Sequence, residues 1–101
     1  MEMKTSVEAG IVTLLPTGDL ANATAPLFRA ECDQLLELGH SQFVLDMSGV
    51  RLLSSIGIRE ILYLHNACSQ GGGALKLIHL SGQVADILRV TGLHKIVNVE
   101  N

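Results

Sequence analysis

Along the chain, short runs of consecutive or alternating apolar residues are separated by longer stretches in which apolar positions recur every three or four residues. The first pattern fits strands and the second fits helices buried on one side. Lys4 to Ala9 and Ile11 to Leu15 are short segments parted by Gly10, and the second is rich in apolar and β-branched residues. They read as a hairpin or as two pieces of edge strand. Pro16, Gly18 and the stretch Asp19 to Asn22 end them. Thr24 then offers a side-chain oxygen to cap a helix running from about Ala25 to Leu38, with Pro26 tolerated in its first turn because the missing N–H would be unpaired there. On this helix Phe28, Cys32, Leu35 and Leu36 share one face, while Arg29, Asp33 and Glu37 fall elsewhere. Gly39 supplies the stop.

Gln42 to Asp46 reads as a central strand, apolar on both faces and therefore suited to a sheet interior covered by helices, with a carboxylate at its end. After a polar turn, Ser54 and Ser55 open a second helix. Ile58, Ile61, Leu62 and Cys68 keep helical spacing on one side of it, and Arg59, Glu60, Asn66 and Gln70 lie on the exposed side. Gly71-Gly72-Gly73 ends this helix, and Ala74 to His79 forms the next strand. Ser81 caps a short third helix whose buried stripe is Val84, Ile87, Leu88 and Thr91, and Gly92 closes it. Leu93, Ile96, Val97 and Val99 follow as a final strand or extended tail. The order β-β-α-β-α-β-α-β implies an α/β fold with a mostly parallel sheet. The pattern does not say whether helices cover one face or both.

The loop after the central strand has a physical interest of its own. The carboxyl ends of parallel strands open at a rim where ligands and partners dock, and a helix that starts there turns its free N–H groups outward. Ser54 or Ser55 caps the second helix by accepting one of those N–H groups, or Ser55 stands free with an exposed hydroxyl. Ile56 is either a docking residue on the rim or a core residue under the helix start. Asp46 most simply holds the N–H groups of its own loop, and Asp19 either ties down a turn or faces a partner.

Composition narrows the function. With 101 residues, 48% hydrophobic and only 3% aromatic, the chain forms one domain, residues 1–101, around an aliphatic core. A net charge of −3 and a scattered set of seven Lys and Arg exclude a nucleic-acid binder and favour basic partners over acidic ones. No apolar run approaches the ~18 residues needed to cross a bilayer, so we expect no membrane insertion and a cytoplasmic location. Cys32 and Cys68 have no metal-ligand spacing and read as buried thiols. His40, His65, His79 and His94 are scattered, so no metal site is expected, and no serine has a histidine base at a suggestive spacing, so no catalytic residue is assigned. The three glycines resemble a phosphate loop in composition only, because no Lys-Ser/Thr follows and a strand comes next.

Four stretches carry a resemblance that extends over nearly the whole chain. They are Pro16-Thr17-Gly18-Asp19-Leu20 with Thr24-Ala25-Pro26, then Phe43 through Val50, then Ser54-Ser55-Ile56-Gly57-Ile58-Arg59, and finally Gly73 through Leu77 with Val90-Thr91-Gly92-Leu93. In this order and spacing the sequence resembles the STAS domain, most closely its stand-alone bacterial members, the anti-sigma factor antagonists. That resemblance implies a mixed β-sheet of four to five strands with three or more helices packed mainly on one face. It also implies regulation by binding, with no cofactor. Family antagonists bind an anti-sigma factor that is a serine kinase, and phosphorylation of a serine or threonine in the antagonist abolishes the binding.

This sequence departs from the family motif, Asp-Ser-Ser-Gly or close to it, in which the acceptor precedes the glycine. Counted without gaps from Asp46, Gly57 takes the glycine's place, Ile56 the acceptor's and Ser54 the aspartate's. Either Ser55 takes the phosphate, with Ser54 the other candidate, or the protein is a constitutive binder. The partner-binding residues implied are Asp19, Asn22, Ser54, Ser55, Ile56, Gly57 and Arg59. A second reading is an accessory subunit docking on the ATPase of an ABC-type lipid or organic-anion transporter. A weaker third, nucleotide binding, finds no phosphate cradle in the sequence. We expect a monomer or weak dimer.

Overall fold

The computed structural model describes residues 2–100. Its elements are β1 (Glu2–Glu8), β2 (Ile11–Thr17), α1 (Ala25–Glu37), β3 (Gln42–Asp46), α2 (Ser55–Gln70), β4 (Ala74–Ile78), α3 (Gly82–Thr91), a 3-10 turn (Leu93–Lys95) and β5 (Asn98–Glu100). The two opening segments form a hairpin. Ala9 and Gly10 both take positive φ, 52° and 79°, which is the backbone twist that a two-residue hairpin turn requires. The five strands lie in the order β1-β2-β3-β4-β5, with β1 antiparallel to β2 and every later pair parallel.

Burial alternates strictly along β2, β3 and β4. Val12, Leu14 and Pro16 on β2, Phe43 and Leu45 on β3, and Leu75 and Leu77 on β4 are buried, and the residues between them are not. All three helices therefore cover a single face, as the resemblance implies. β3 corrects the reading of a strand apolar on both sides. Val44 is only partly buried, because no helix lies over its face. The helices complete the core with Phe28, Cys32 and Leu35 from α1, Ile61, Leu64 and Cys68 from α2, and Val84 and Leu88 from α3. Both cysteines are buried free thiols. Burial pushes each thiol up, that of Cys68 to about 11, so neither is poised as a nucleophile.

Three further expectations are revised. Thr24 makes no capping hydrogen bond at the N-terminus of α1. Its hydroxyl instead accepts from the Ala21 N–H at 3.0 Å and donates to the Asp19 carbonyl at 2.6 Å, locking the turn before the helix. Thr91 is exposed at the end of α3, its hydroxyl satisfied by the Ile87 carbonyl at 2.9 Å. The last strand is shorter than the apolar pattern implied. Gly92 at φ 78° turns the chain into the 3-10 turn, which buries Leu93 and leaves only Asn98–Glu100 to pair with β4.

The glycine triplet between α2 and β4 is a tight reversal. Gly72 has a φ of 83°, and Gly73 passes so close to the preceding connection that an added Cβ would lie 2.0 Å from the Ser41 carbonyl oxygen. That same carbonyl accepts the Ala74 N–H at 3.0 Å, which starts β4 in register beside β3. Gly73→Ala is therefore expected to destabilise the fold by about 1–3 kcal/mol, since the backbone it meets cannot rotate away. Thermal unfolding followed by circular dichroism checks this, and an unchanged melting temperature would show that the reversal has room to spare.

Candidate functional site

The site lies where the loops after β2 and β3 meet the first turns of α1 and α2. The two loops run side by side and are joined by backbone bonds. Gly18 N–H donates to the Gly49 carbonyl, Leu20 N–H to the Leu52 carbonyl, and Ser54 N–H to the Leu20 carbonyl, each at 3.0 Å. Leu20 and Leu53, paired across this seam, are both buried and anchor it to the core.

Gly57 then sits directly on the seam. A Cβ at this position would lie 2.3 Å from the Leu20 carbonyl oxygen and 2.8 Å from a Leu53 methyl. Only glycine lets α2 start this close to the loop. The Gly57 N–H donates to Ser54 Oγ at 3.2 Å, so Ser54 is the helix cap, in extended backbone with ψ 174°. Ser55, the first helical residue, is exposed and accepts no such bond. The structure thus divides the serine pair into a structural hydroxyl and a free one.

Ile56 is partly buried. It lines a groove of about 500 Å³ between α1 and α2, together with Asn22, Ala25, Pro26, Arg29, Arg59 and Glu60. Arg59 is exposed, and among the described residues it has no ion-pair partner. Asn22 is brought to the groove by the turn that Thr24 locks. Asp19 turns its backbone carbonyl to Thr24 and leaves its side chain exposed beside the seam. The predicted residues 19, 22, 54, 55, 56, 57 and 59 are therefore gathered at one end of the molecule. Ser54 and Gly57 build that end, while Asp19, Asn22, Ser55, Ile56 and Arg59 face outward.

Glu60 corrects the expectation that it lies on the exposed side. It is 7% exposed, the one charged residue buried among those described, and it receives both arms of Arg29, Nε to Oε1 at 2.7 Å and Nη2 to Oε2 at 3.2 Å. The Arg29 guanidinium also lies 3.4 Å from the centre of the Tyr63 ring, and the Tyr63 hydroxyl donates to Asp33. That hydrogen bond is the main reason the Tyr63 pKa is raised. For Arg29, burial works against the charge, but the bonds to Glu60 outweigh it and raise the pKa. This network fastens α1 to α2 and fixes one wall of the groove. Its signal was present in the sequence, since Glu60 falls on the stripe Gly57, Ile61, Leu64 and Cys68, where a carboxylate needs a partner.

Asp46 holds its own loop. Its Oδ1 accepts the Ser48 N–H at 3.0 Å and lies 3.2 Å from His79 Nδ1. His79 takes a φ of 57° at the end of β4. Burial raises the Asp46 pKa, but the bonds from Ser48 and His79 prevail and hold it below the usual carboxylate range.

The chain belongs to the STAS domain family, whose pattern it matches over residues 2–101. It is 27% identical over 92 residues to BtrV of Bordetella bronchiseptica, provisionally named an anti-sigma factor antagonist, a match covering 91% of this chain and 79% of that one. A crystal structure from Thermotoga maritima, of a protein also provisionally named an anti-sigma factor antagonist, superposes with a TM-score of 0.93 at 25% identity. That match covers 98% of this chain and 86% of the other. The unphosphorylated form of the anti-sigma factor antagonist SpoIIAA shares the fold, with a TM-score of 0.78, 13% identity, and coverage of 99% and 88%. Among the described residues no helix is long and apolar enough to cross a membrane.

Two outcomes follow for the residues that hold this end together. Ser54→Ala is expected to cost about 1 kcal/mol in denaturant unfolding, and Ser55→Ala to change stability by a few tenths at most. Equal losses would mean that the two hydroxyls share the cap. Because the Asp46 pKa is lowered on folding, its contribution is present at neutral pH and is lost as pH falls through the depressed value. Asp46→Asn should therefore melt below the native protein at pH 7 and converge with it in acid, as read from melting temperatures across that range. A constant gap would assign the effect to something other than charge.

Proposed function

We propose that the protein is a cytoplasmic anti-sigma factor antagonist that acts by binding, and that the rim made by Asp19, Asn22, Ser55, Ile56 and Arg59 docks on an anti-sigma factor of the serine-kinase type. The observation that carries this reading is the division of labour between the serines. With Ser54 committed to the cap, Ser55 presents a hydroxyl with no partner among the described residues, beside a half-buried isoleucine and an exposed arginine. A partner that closes over Ile56 desolvates this rim. A phosphoryl group on Ser55 would add about −1.5 to −2 charge and three oxygens to the same contact, which a surface fitted to a hydroxyl cannot accept. The family names of the Bordetella and Thermotoga relatives support the reading.

Ile56 at the family's acceptor position favours a second reading. In it the same rim binds without any phosphate, for example as an accessory subunit on a transporter ATPase.

Incubation with the anti-sigma-type kinase of its own cell and ATP, followed by intact-mass measurement and site mapping, separates the two. The expected result is a single phosphate on Ser55 that persists in Ser54→Ala and is absent from Ser55→Ala, with the phosphorylated form no longer bound. Stable binding with no phosphate on any residue would favour the constitutive partner. The absence of both binding and phosphate would overturn the antagonist role.

A further inference from the structure

The sheet carries helices on one face, and its other face has no layer over it among the described residues. Parallel strand pairs, here β2–β3, β3–β4 and β4–β5, are ordinarily covered on both sides. The register sets out the uncovered side chains in rows across the strands. Lys4 pairs with Leu15, and Asp46 with Ile78 and Ile78 with Glu100; carried one residue past Leu14 and Leu45, the β2–β3 register puts these five in one row at the carboxyl end of the parallel strands, and Val44 lies at the middle of the next. Leu15, Val44 and Ile78 are partly exposed there, and shallow hollows of about 360 Å³ lie beside Leu15 and beside Ile78.

We infer that this face packs against a second copy of the chain. A two-fold axis running along the strands above β3 turns the face onto itself and lays β1 of one copy over β5 of the other. Lys4 then meets Glu100 of the second copy, Leu15 meets Ile78, and Val44 meets Val44, so opposite charges and apolar groups pair in the same row. Lys4 has no ion-pair partner among the described residues of its own chain, and Glu100 has only Lys76 at 3.6 Å. Asp46 falls near its own copy, but its carboxylate is held by the Ser48 N–H and His79 and its side chain is 18% exposed. A two-fold axis across the strands through the Val44 row would instead set Lys76 against Lys76, which disfavours that placement.

Five strands about 4.8 Å apart give a face of roughly 20 by 15 Å. That is less than half of the ~800 Å² each partner contributes to a standard interface, so the dimer is a weak one. It leaves the α2 rim, on the helix-covered side, free to dock.

Sedimentation equilibrium from ~10 µM to ~1 mM protein tests this directly. The average mass is expected to climb from 10.8 kDa toward twice that value with concentration. Lys4→Glu, and separately Glu100→Lys, should raise the dissociation constant roughly tenfold, because each replaces two attractions per dimer with two repulsions. Combining the two substitutions should restore it to within about threefold. Both positions are exposed strand residues, and native circular dichroism in every variant confirms that folding is not at issue. A mass that stays at 10.8 kDa throughout would leave the face to solvent or to another protein and would overturn the inference. So would a dimer indifferent to Lys4→Glu, or a double variant that does not recover. None of these outcomes depends on whether Ser55 is phosphorylated.

Discussion

The contact on which the rest depends is between the Leu20 carbonyl and the first turn of α2. That one oxygen accepts the Ser54 N–H and packs against Gly57, so the loop after β2, the loop after β3 and the start of α2 are fixed to one another at a single point. A side chain at position 57 would push the helix off the seam. Without the seam, Ser54 would lose the extended conformation that lets it cap, and Ser55, Ile56 and Arg59 would lose their common orientation. The rim is a surface feature held by buried backbone, and in the function proposed above it is the docking site.

The groove beside it is rigid for a second reason. Arg29 and Glu60 are joined by two hydrogen bonds across α1 and α2, and the guanidinium is backed by Tyr63, itself tied to Asp33. Desolvating Glu60 without Arg29 would be costly, so the pair fixes how the helices lie against each other. The groove floor therefore has one shape for a partner to read. Together the seam and the network define the two walls between which Ile56 lies.

Much of this was legible in the sequence, because strands and helices announce themselves by period. The hairpin, β3, the positions of α1 and α2, and the stops at Gly39 and Gly92 all follow from local pattern and glycine placement. What the pattern could not carry was information that depends on a second element. Thr24 looked like a cap, but the Asp19 and Ala21 backbone groups claimed its hydroxyl first. Glu60 lies on the buried stripe of α2, but its partner Arg29 is on a different helix, which no local pattern names. Val44 looked buried because an apolar residue in a strand does not say whether a layer covers it. For the site, the glycine motif located the rim, but which serine capped α2 was decided by where the helix starts: Ser55 is its first residue, so the cap is Ser54.

If the α2 rim, held by the Leu20 seam, is the surface that meets the partner, binding should shield its backbone. Hydrogen–deuterium exchange on the protein alone and in complex with the anti-sigma-type kinase of its own cell tests it most directly. Slowed exchange is expected over residues 18–24 and 53–60, with β1 and α3 unchanged. Protection confined to α3 or to the uncovered sheet face, with the rim exchanging as freely as before, would contradict it.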